Sequence, residues 1–424
     1  MSDAQIESAF VYAYPLYALA LTRYRAVQDP KAPDRHAVNT LRHDRRLCDA
    51  ASRWITAPNN DTLYSNAWLD LSQGPVRVQV QAMPEGRYWS VALMDGYTNH
   101  VAMLGQRLDG LGPVDVWVLG PGQAAPSGAR RVIQAPGLDV WLFARCLVDG
   151  PEDLPAAMAM QDRIRVQAQS AGPWPDRVVP EPLENAAAFL DLVNEALARN
   201  PPPPEDAPWL KAWATLGLRP GVHGVWRDLP ARVQAAWLAY LPQALARLRA
   251  LGTSYRQSVQ GWVASMDAIG QFGPHHGLRA SVALGGLGAL EPVEAMYFVR
   301  YQDEAGEPLT GQRAYALTVP PEGIPTDSFW SFTMYEPTAD GQRFLVDNPM
   351  GRYSIGNRTS GLRYQADGSL VLCLQREAPS DPAARANWLP LPAGAFQISL
   401  RAYRPQASLR TGQARLPWIE RIEP

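Results

Sequence analysis

At 424 residues the chain is longer than one hydrophobic core commonly organises, so two or three domains are expected. A hydrophobic content of 46% with 19% charged residues describes a globular chain and excludes a disordered one. A formal net charge of −2 gives no electrostatic footprint for nucleic acid or for an anionic membrane, and neither is expected as a partner.

The three cysteines, Cys48, Cys146 and Cys373, are far apart and lack metal-ligand spacing. They suggest neither a disulfide framework nor a zinc site, and fit a reducing, cytoplasmic compartment. The apolar run Phe10–Leu21 has no Lys or Arg before it, contains Pro15 and is too short to span a bilayer. It reads as a buried helix over residues 2–26, with Ile6, Phe10, Tyr14, Tyr17 and Leu21 on one face. Residues 28–50, rich in Arg, Asp, Lys and Pro, read as a solvated loop.

A β signal runs from Ile55 to about Val148. Pro58-Asn-Asn-Asp-Thr-Leu-Tyr-Ser-Asn-Ala-Trp-Leu-Asp70 opens as a turn and becomes a period-2 strand. Val76–Val80, Arg87–Asp95, Val114–Leu119 and Leu138–Val148 are further strands between Gly- and Pro-rich breaks. From Pro151 the period changes to helical, over Leu154–Ala171, Leu183–Arg199, Ala207–Leu216 and Pro230–Leu251. From Ala295 strands return, at Tyr315–Val319, Ser328–Tyr335, Gly368–Gln375 and Ala395–Tyr403. The expected fold is α+β, with two mainly antiparallel, jelly-roll-like β-sandwich domains joined by a helical middle region. The expected bounds are an N-terminal helix and loop at 1–54, a first β domain at 55–150, helices at 151–294 and a second β domain at 295–424.

The candidate chemistry gathers at strand ends. Asp61 and Asp95 are carboxylates at two such ends, accompanied by Tyr64, Tyr97 and His100, and partial burial would shift carboxyl pKa values towards neutrality for acid–base work. Asn59, Asn60, Thr62 and Asn99 add hydrogen-bonding side chains beside them. Arg107, Arg352 and Arg358 offer guanidinium forks for an anionic group, with Tyr353 between the last two. A plain structural account also fits each residue singly, because Asp and Asn commonly satisfy loop amides. No phosphate loop, dinucleotide fingerprint or Gly-x-Ser-x-Gly elbow occurs. Gly285-Gly-Leu-Gly288 reads as a packed turn. His36, His43, His100, His223, His275 and His276 form no i,i+4 pair, and the adjacent pair His275-His276 is their one dense cluster.

These motifs resemble a known pair of families. Pro58-Asn-Asn-Asp-Thr-Leu-Tyr-Ser65, Arg87-Tyr-Trp-Ser90, Met94-Asp-Gly-Tyr-Thr-Asn99, Gly105 and Arg107 resemble the bacterial domain of unknown function 1254. Phe329-Trp-Ser331, Tyr335, Asn348-Pro349, Arg352-Tyr-Ser-Ile355, Arg358, Gly361-Leu362, Asp367-Gly-Ser369, Asn387-Trp-Leu-Pro390 and Leu400-Arg-Ala-Tyr403 resemble its companion, domain of unknown function 1214. The resemblance implies paired jelly-roll-like domains and a site region, but no reaction. Leu416-Pro-Trp-Ile departs from the families' usual Pro-rich ending.

The leading expectation is an enzyme acting on a small or medium organic substrate by general acid–base chemistry, hydrolytic or eliminative, with no organic cofactor and no metal. Asp61, Asp95, Tyr64, Tyr97 and His100 are expected at one site, and Asn59, Asn60, Thr62, Asn99, Arg107, Tyr335, Arg352, Tyr353 and Arg358 around the substrate. The first rival is a saccharide- or peptide-binding module with exposed Trp and Tyr platforms on its β faces. The second is a metal enzyme using His275, His276 and carboxylates. Exposed sheet edges are compatible with a homo-oligomer.

Overall fold

A computed structural model describes residues 3–53, 56–169, 174–264, 268–339 and 341–422. Ile55, where the β signal was expected to begin, lies outside the described residues. The helix Asp3–Val27 is buried along most of its length despite Pro15, and anchors a helical core with Ala186–Arg199, Ala231–Thr253 and His276–Gly285. Among the described residues no helix is long and apolar enough to cross a membrane.

The first half contains β1 (Arg42–His43), β2 (Thr62–Asp70), β3 (Val76–Val80), β4 (Trp89–Met94), β5 (His100–Gly105), β6 (Val114–Leu119), β7 (Val132–Gln134), β8 (Asp139–Leu147) and β9 (Ile164–Ala168). The hairpin β10 (Gln257–Val259) and β11 (Trp262–Ala264) leads into β12 (Ala295–Arg300), β13 (Ala314–Val319), β14 (Trp330–Pro337), β15 (Arg343–Leu345), β16 (Ser354–Gly356), β17 (Leu370–Gln375), β18 (Trp388–Pro390), β19 (Gln397–Tyr403) and β20 (Trp418–Ile422). They form four mostly antiparallel sheets. The first half has an inner sheet β1-β2-β8-β4-β5 and an outer sheet β7-β6-β3-β9. The second half has an inner sheet β10-β11-β12-β19-β14-β15, with β16 also on β14, and an outer sheet β18-β17-β13-β20.

The two halves carry one strand order twice. In the inner sheets β2-β8-β4-β5 matches β12-β19-β14-β15, and in the outer sheets β7-β6-β3-β9 matches β18-β17-β13-β20. Even the parallel edge pair recurs, as β6 with β7 and β17 with β18. Each half buries one face of its inner sheet on its outer sheet, through Val78, Val116 and Leu142 in the first and Phe332, Leu372 and Leu400 in the second. The other faces of the two inner sheets pack on each other through Tyr64, Trp141, Phe329 and Tyr403. Alternation of side chains along a strand makes both contacts from one sequence.

Three details differ from the sequence reading. The expected helix Leu154–Ala171 ends at Gln161, and Ile164, Val166 and Ala168 then alternate as edge strand β9 against β3. The middle region also supplies the β10–β11 hairpin, which joins the second inner sheet at β12. Helix His276–Gly285 was missed because its Gly-rich ends mask a short period. The departing tail packs as β20, with Leu416 buried and the Trp262 indole donating to the Pro417 carbonyl at 2.7 Å.

Candidate functional site

The polar end of β2 meets the second half. Pro58 and Asn59 enter the strand, and the Asn59 side chain accepts from the Asp61 amide at 2.6 Å, an Asx turn of the kind its sequence predicts. Asp61 accepts a hydroxyl from Ser331 at 2.6 Å and a weaker one from Ser354 at 3.4 Å. Asn59 donates to Thr62 at 3.2 Å and to the Tyr403 hydroxyl at 2.6 Å, and Tyr335 donates to the Pro58 carbonyl at 2.6 Å. Arg401 donates to Thr333 at 2.8 Å, to the Ala57 carbonyl at 3.1 Å and to the Tyr335 hydroxyl. Burial pushes the Asp61 carboxyl above the usual carboxylate range, opposed by Arg401 and the two serines. Burial likewise raises the Tyr64 and Tyr335 phenols.

Asn59, Asp61, Thr62, Tyr64 and Tyr335 are therefore brought together, with half-buried Asn60 and Tyr353 at the edge of the same network. Asp95, Tyr97, Asn99 and His100 are not. Asp61 lies beside Val148 and Asp95 beyond Trp141, so about 25 Å along the β8 direction separates them at roughly 3.3 Å per residue. The expectation of one site holding all five candidate catalytic residues is corrected: two opposite ends of one sheet carry them.

At the far end Asp95 serves its own loop. Its carboxylate accepts from the Tyr97 amide at 2.8 Å, the Asn99 amide at 2.9 Å and the Asn99 side chain at 3.2 Å. Tyr97 donates to the Asn200 carbonyl at 3.0 Å. His100 is buried with Nδ1 3.3 Å from Glu291, and this contact holds the Glu291 carboxyl below its usual range. A cleft of about 400 Å³ lined by Gln271, Glu291 and Arg410 opens beside that pair.

The three expected anion-binding arginines are occupied. Arg107 pairs with buried Glu294 at 2.6 Å, Arg352 donates to the Ala386 and Trp388 carbonyls at 3.2 and 3.0 Å, and Arg358 pairs with Asp149 near the surface. His276 contacts Asp206 at 3.0 Å while His275 is exposed, and among the described residues no three metal-ligating side chains converge.

Sequence reasoning missed Arg145 and Arg401. Both occupy the central strand of an inner sheet in the same register. Arg145 on β8 stands opposite Tyr64 on β2 and Ser90 on β4, and Arg401 on β19 stands opposite Tyr297 on β12 and Ser331 on β14. The duplicated fold thus places a Tyr-Arg-Ser row in each inner sheet. Three residues before each Tyr is a buried acid, Asp61 before Tyr64 and Glu294 before Tyr297. Each acid reaches the opposite half, Asp61 to Ser331 and Glu294 to the Tyr88 hydroxyl at 2.8 Å. The available signal was an arginine within an otherwise apolar, alternating strand.

Residues 38–168 match the family model described as protein of unknown function (DUF1254), and residues 294–407 match that described as protein of unknown function (DUF1214). The chain carries both domains. Their bounds follow the duplication, the first enclosing β1 to β9 and the second β12 to β19. The crystal structure of the VPA0106 protein from Vibrio parahaemolyticus is similar over 100% of both chains, with 22% identity and a TM-score of 0.73, a likeness of fold. An uncharacterized protein from Burkholderia cenocepacia aligns over 99% of this chain and 98% of its own, at 13% identity and a TM-score of 0.47. Among curated proteins none matches.

Proposed function

We propose that the protein is an enzyme acting on a small or medium organic substrate by general acid–base chemistry, hydrolytic or eliminative and without an organic cofactor, between its two inner sheets. One observation carries this: Asp61, raised by burial, is held by hydroxyls of the opposite half rather than by its own loop. A carboxyl moved upward exchanges a proton nearer working pH, which suits it as general acid or base. Ser331 and Ser354 orient it, and Arg401 keeps its ionised form tolerable in a low dielectric. Asp95 and His100 stand outside this role, because loop amides and Glu291 occupy them. Glu291, held low, stays ionised and anchors charge rather than donating a proton.

The rival binding module gains no support from exposed aromatics. Among the described residues the large exposed aromatic side chains are Trp209 and Tyr364, one on a helix and one before β17, and neither is on a β face. The jelly-roll-like description of each half, a cytoplasmic setting and self-association belong to the same proposal.

The test is a screen of small esters, amides and β-substituted acids with purified protein and its Asp61→Asn variant. Turnover is expected in the wild type and a loss of about 10²–10⁴-fold in the variant, with the unfolding midpoint within a few degrees. Unchanged turnover, or collapse of the fold in the variant, would overturn the reading.

A further inference from the structure

The duplicated rows differ in one respect that points to a ligand. In the second half Arg401 is satisfied by Thr333 and Tyr335, two and four residues beyond Ser331 on β14. The matching positions beyond Ser90 on β4 are Ala92 and Met94, which offer no hydroxyl. On the central strands Ser399 and Gln397 of the second half are matched by Phe143 and Trp141 of the first. The first row has the arginine but not the side chains that satisfy it in the second.

The consequence is visible at Arg145. It is 5% exposed, yet among the described residues only Nη2 has a hydrogen-bond partner, the Gly288 carbonyl at 2.7 Å, and buried Nη1 has none. Its guanidinium lies 4.5 Å over Phe143 and 5.7 Å from Tyr64, and among the described residues no carboxylate is hydrogen-bonded to it. Two indole N–H groups on the same face, of Trp68 and Trp141, are also buried without acceptors among the described residues. These rings form a ladder: Trp68 on Trp141 at 5.2 Å and 2°, Trp141 on Phe143 at 4.8 Å, and Phe143 by Tyr64 at 4.8 Å. Gly288, at φ +80°, permits the close approach that covers the ladder, since a Cβ there would stand 3.2 Å from Trp141. Tyr64, Trp141 and Phe143 keep 6–7% of their surface accessible, and Tyr297 opposite is half-buried although mid-strand, so packing between the sheets is not fully closed beside the arginine.

We propose that Arg145 receives the carboxylate of a small, apolar organic acid held between the two inner sheets. The phenols of Tyr297, Tyr64, Tyr403 and Tyr88 offset the burial of this cation but carry no formal charge at neutral pH, and an incoming carboxylate would supply a counter-ion and an acceptor for Nη1. A single guanidinium fork matches a carboxylate bidentately, and Ala92, Met94 and Phe143 on the same face favour an apolar body. This inference rests on the same inter-sheet region as the Asp61 reading. It divides the labour of the duplicated rows, with the first half gripping the substrate and the second presenting the proton-exchanging carboxyl.

The probe is benzoate, with benzamide as its neutral counterpart, measured by thermal shift and calorimetry on wild type, Arg145→Met, Arg145→Lys and Asp61→Asn. Benzoate is expected to stabilise the wild type saturably and to bind at least tenfold tighter than benzamide. Arg145→Met should lose that preference while melting at or above the wild type in the absence of probe, and Arg145→Lys should retain part of it. Asp61→Asn should still bind benzoate, so a failure of the acid–base reading would leave this result standing. Equal binding of benzamide and benzoate to the wild type, absence of benzoate binding, or a markedly lower midpoint for both Arg145 variants would overturn the proposal.

Discussion

The two halves share a strand order and a Tyr-Arg-Ser row, but they use their arginines in opposite ways. Arg401 is enclosed by a hydroxyl, a phenol, a backbone carbonyl and the facing charge of Asp61. Arg145 has one carbonyl and an aromatic ladder. An identical backbone position is a finished polar network in one copy and an unsatisfied donor in the other. Fold alone did not dictate either outcome; the residues two and four places along β4 and β14 did. The same contrast separates the carboxyls, since Asp95 is consumed by local amides while Asp61 depends on side chains some 270 residues away.

The largest expected effect sharpens this contrast. Arg401→Met should destabilise the protein by ~3–5 kcal/mol, because it strands Asp61 as an unpaired buried charge. The same change at Arg145 should cost nothing or raise stability. Chemical denaturation of both variants measures the difference, and equal losses would erase the distinction between the rows.

Next come the row serines. Ser331→Ala removes the 2.6 Å bond to Asp61 and should cost about 1–3 kcal/mol. Ser90→Ala removes no bond to a carboxylate and should stay within about 0.5 kcal/mol of wild type. Unfolding midpoints of the two variants, compared at one pH, check the ranking.

A pH dependence follows from the raised Asp61 carboxyl. A group whose folded pKa lies above its unfolded value of about 4 contributes its stability below that pH and loses it as pH rises through the folded value. Wild type should therefore lose ground to Asp61→Asn between about pH 4 and neutrality. Asp139 has the opposite sign: burial pushes its carboxyl up, but Arg177 and Arg199 overcome that and hold it low. Its contribution is present above about pH 4 and declines under acid. Midpoints recorded across pH for wild type and Asp61→Asn separate the two, and a constant difference would contradict the Asp61 assignment.

The smallest effect is expected at the rim. Arg358→Ala breaks the Arg358–Asp149 pair that links the halves near solvent, and should cost under about 1 kcal/mol, diminishing further with salt. A larger loss would mean that the halves are held together from the edge rather than by the buried rows.

The sequence by itself determined strands such as β2, β3, β4, β6 and β8 and their turns, because alternation and Asx chemistry act over a few residues. The β2 pattern from Thr62, the Asp95 turn and the packed Gly285–Gly288 turn are of this kind. It also carried hints of the duplication, with Trp-Ser at both 89–90 and 330–331 opening matched strands. It did not place Asp61 and Asp95 at opposite ends of one sheet, since both look alike to a local pattern and only strand pairing sets their level. Nor did it show which arginines were free: Arg107, Arg352 and Arg358 are occupied by partners 33 or more residues distant. Arg145 became a candidate only when the second copy supplied the comparison. Hydrogen-bond satisfaction in a buried interface is a property of what faces a side chain, and that is decided by tertiary packing alone.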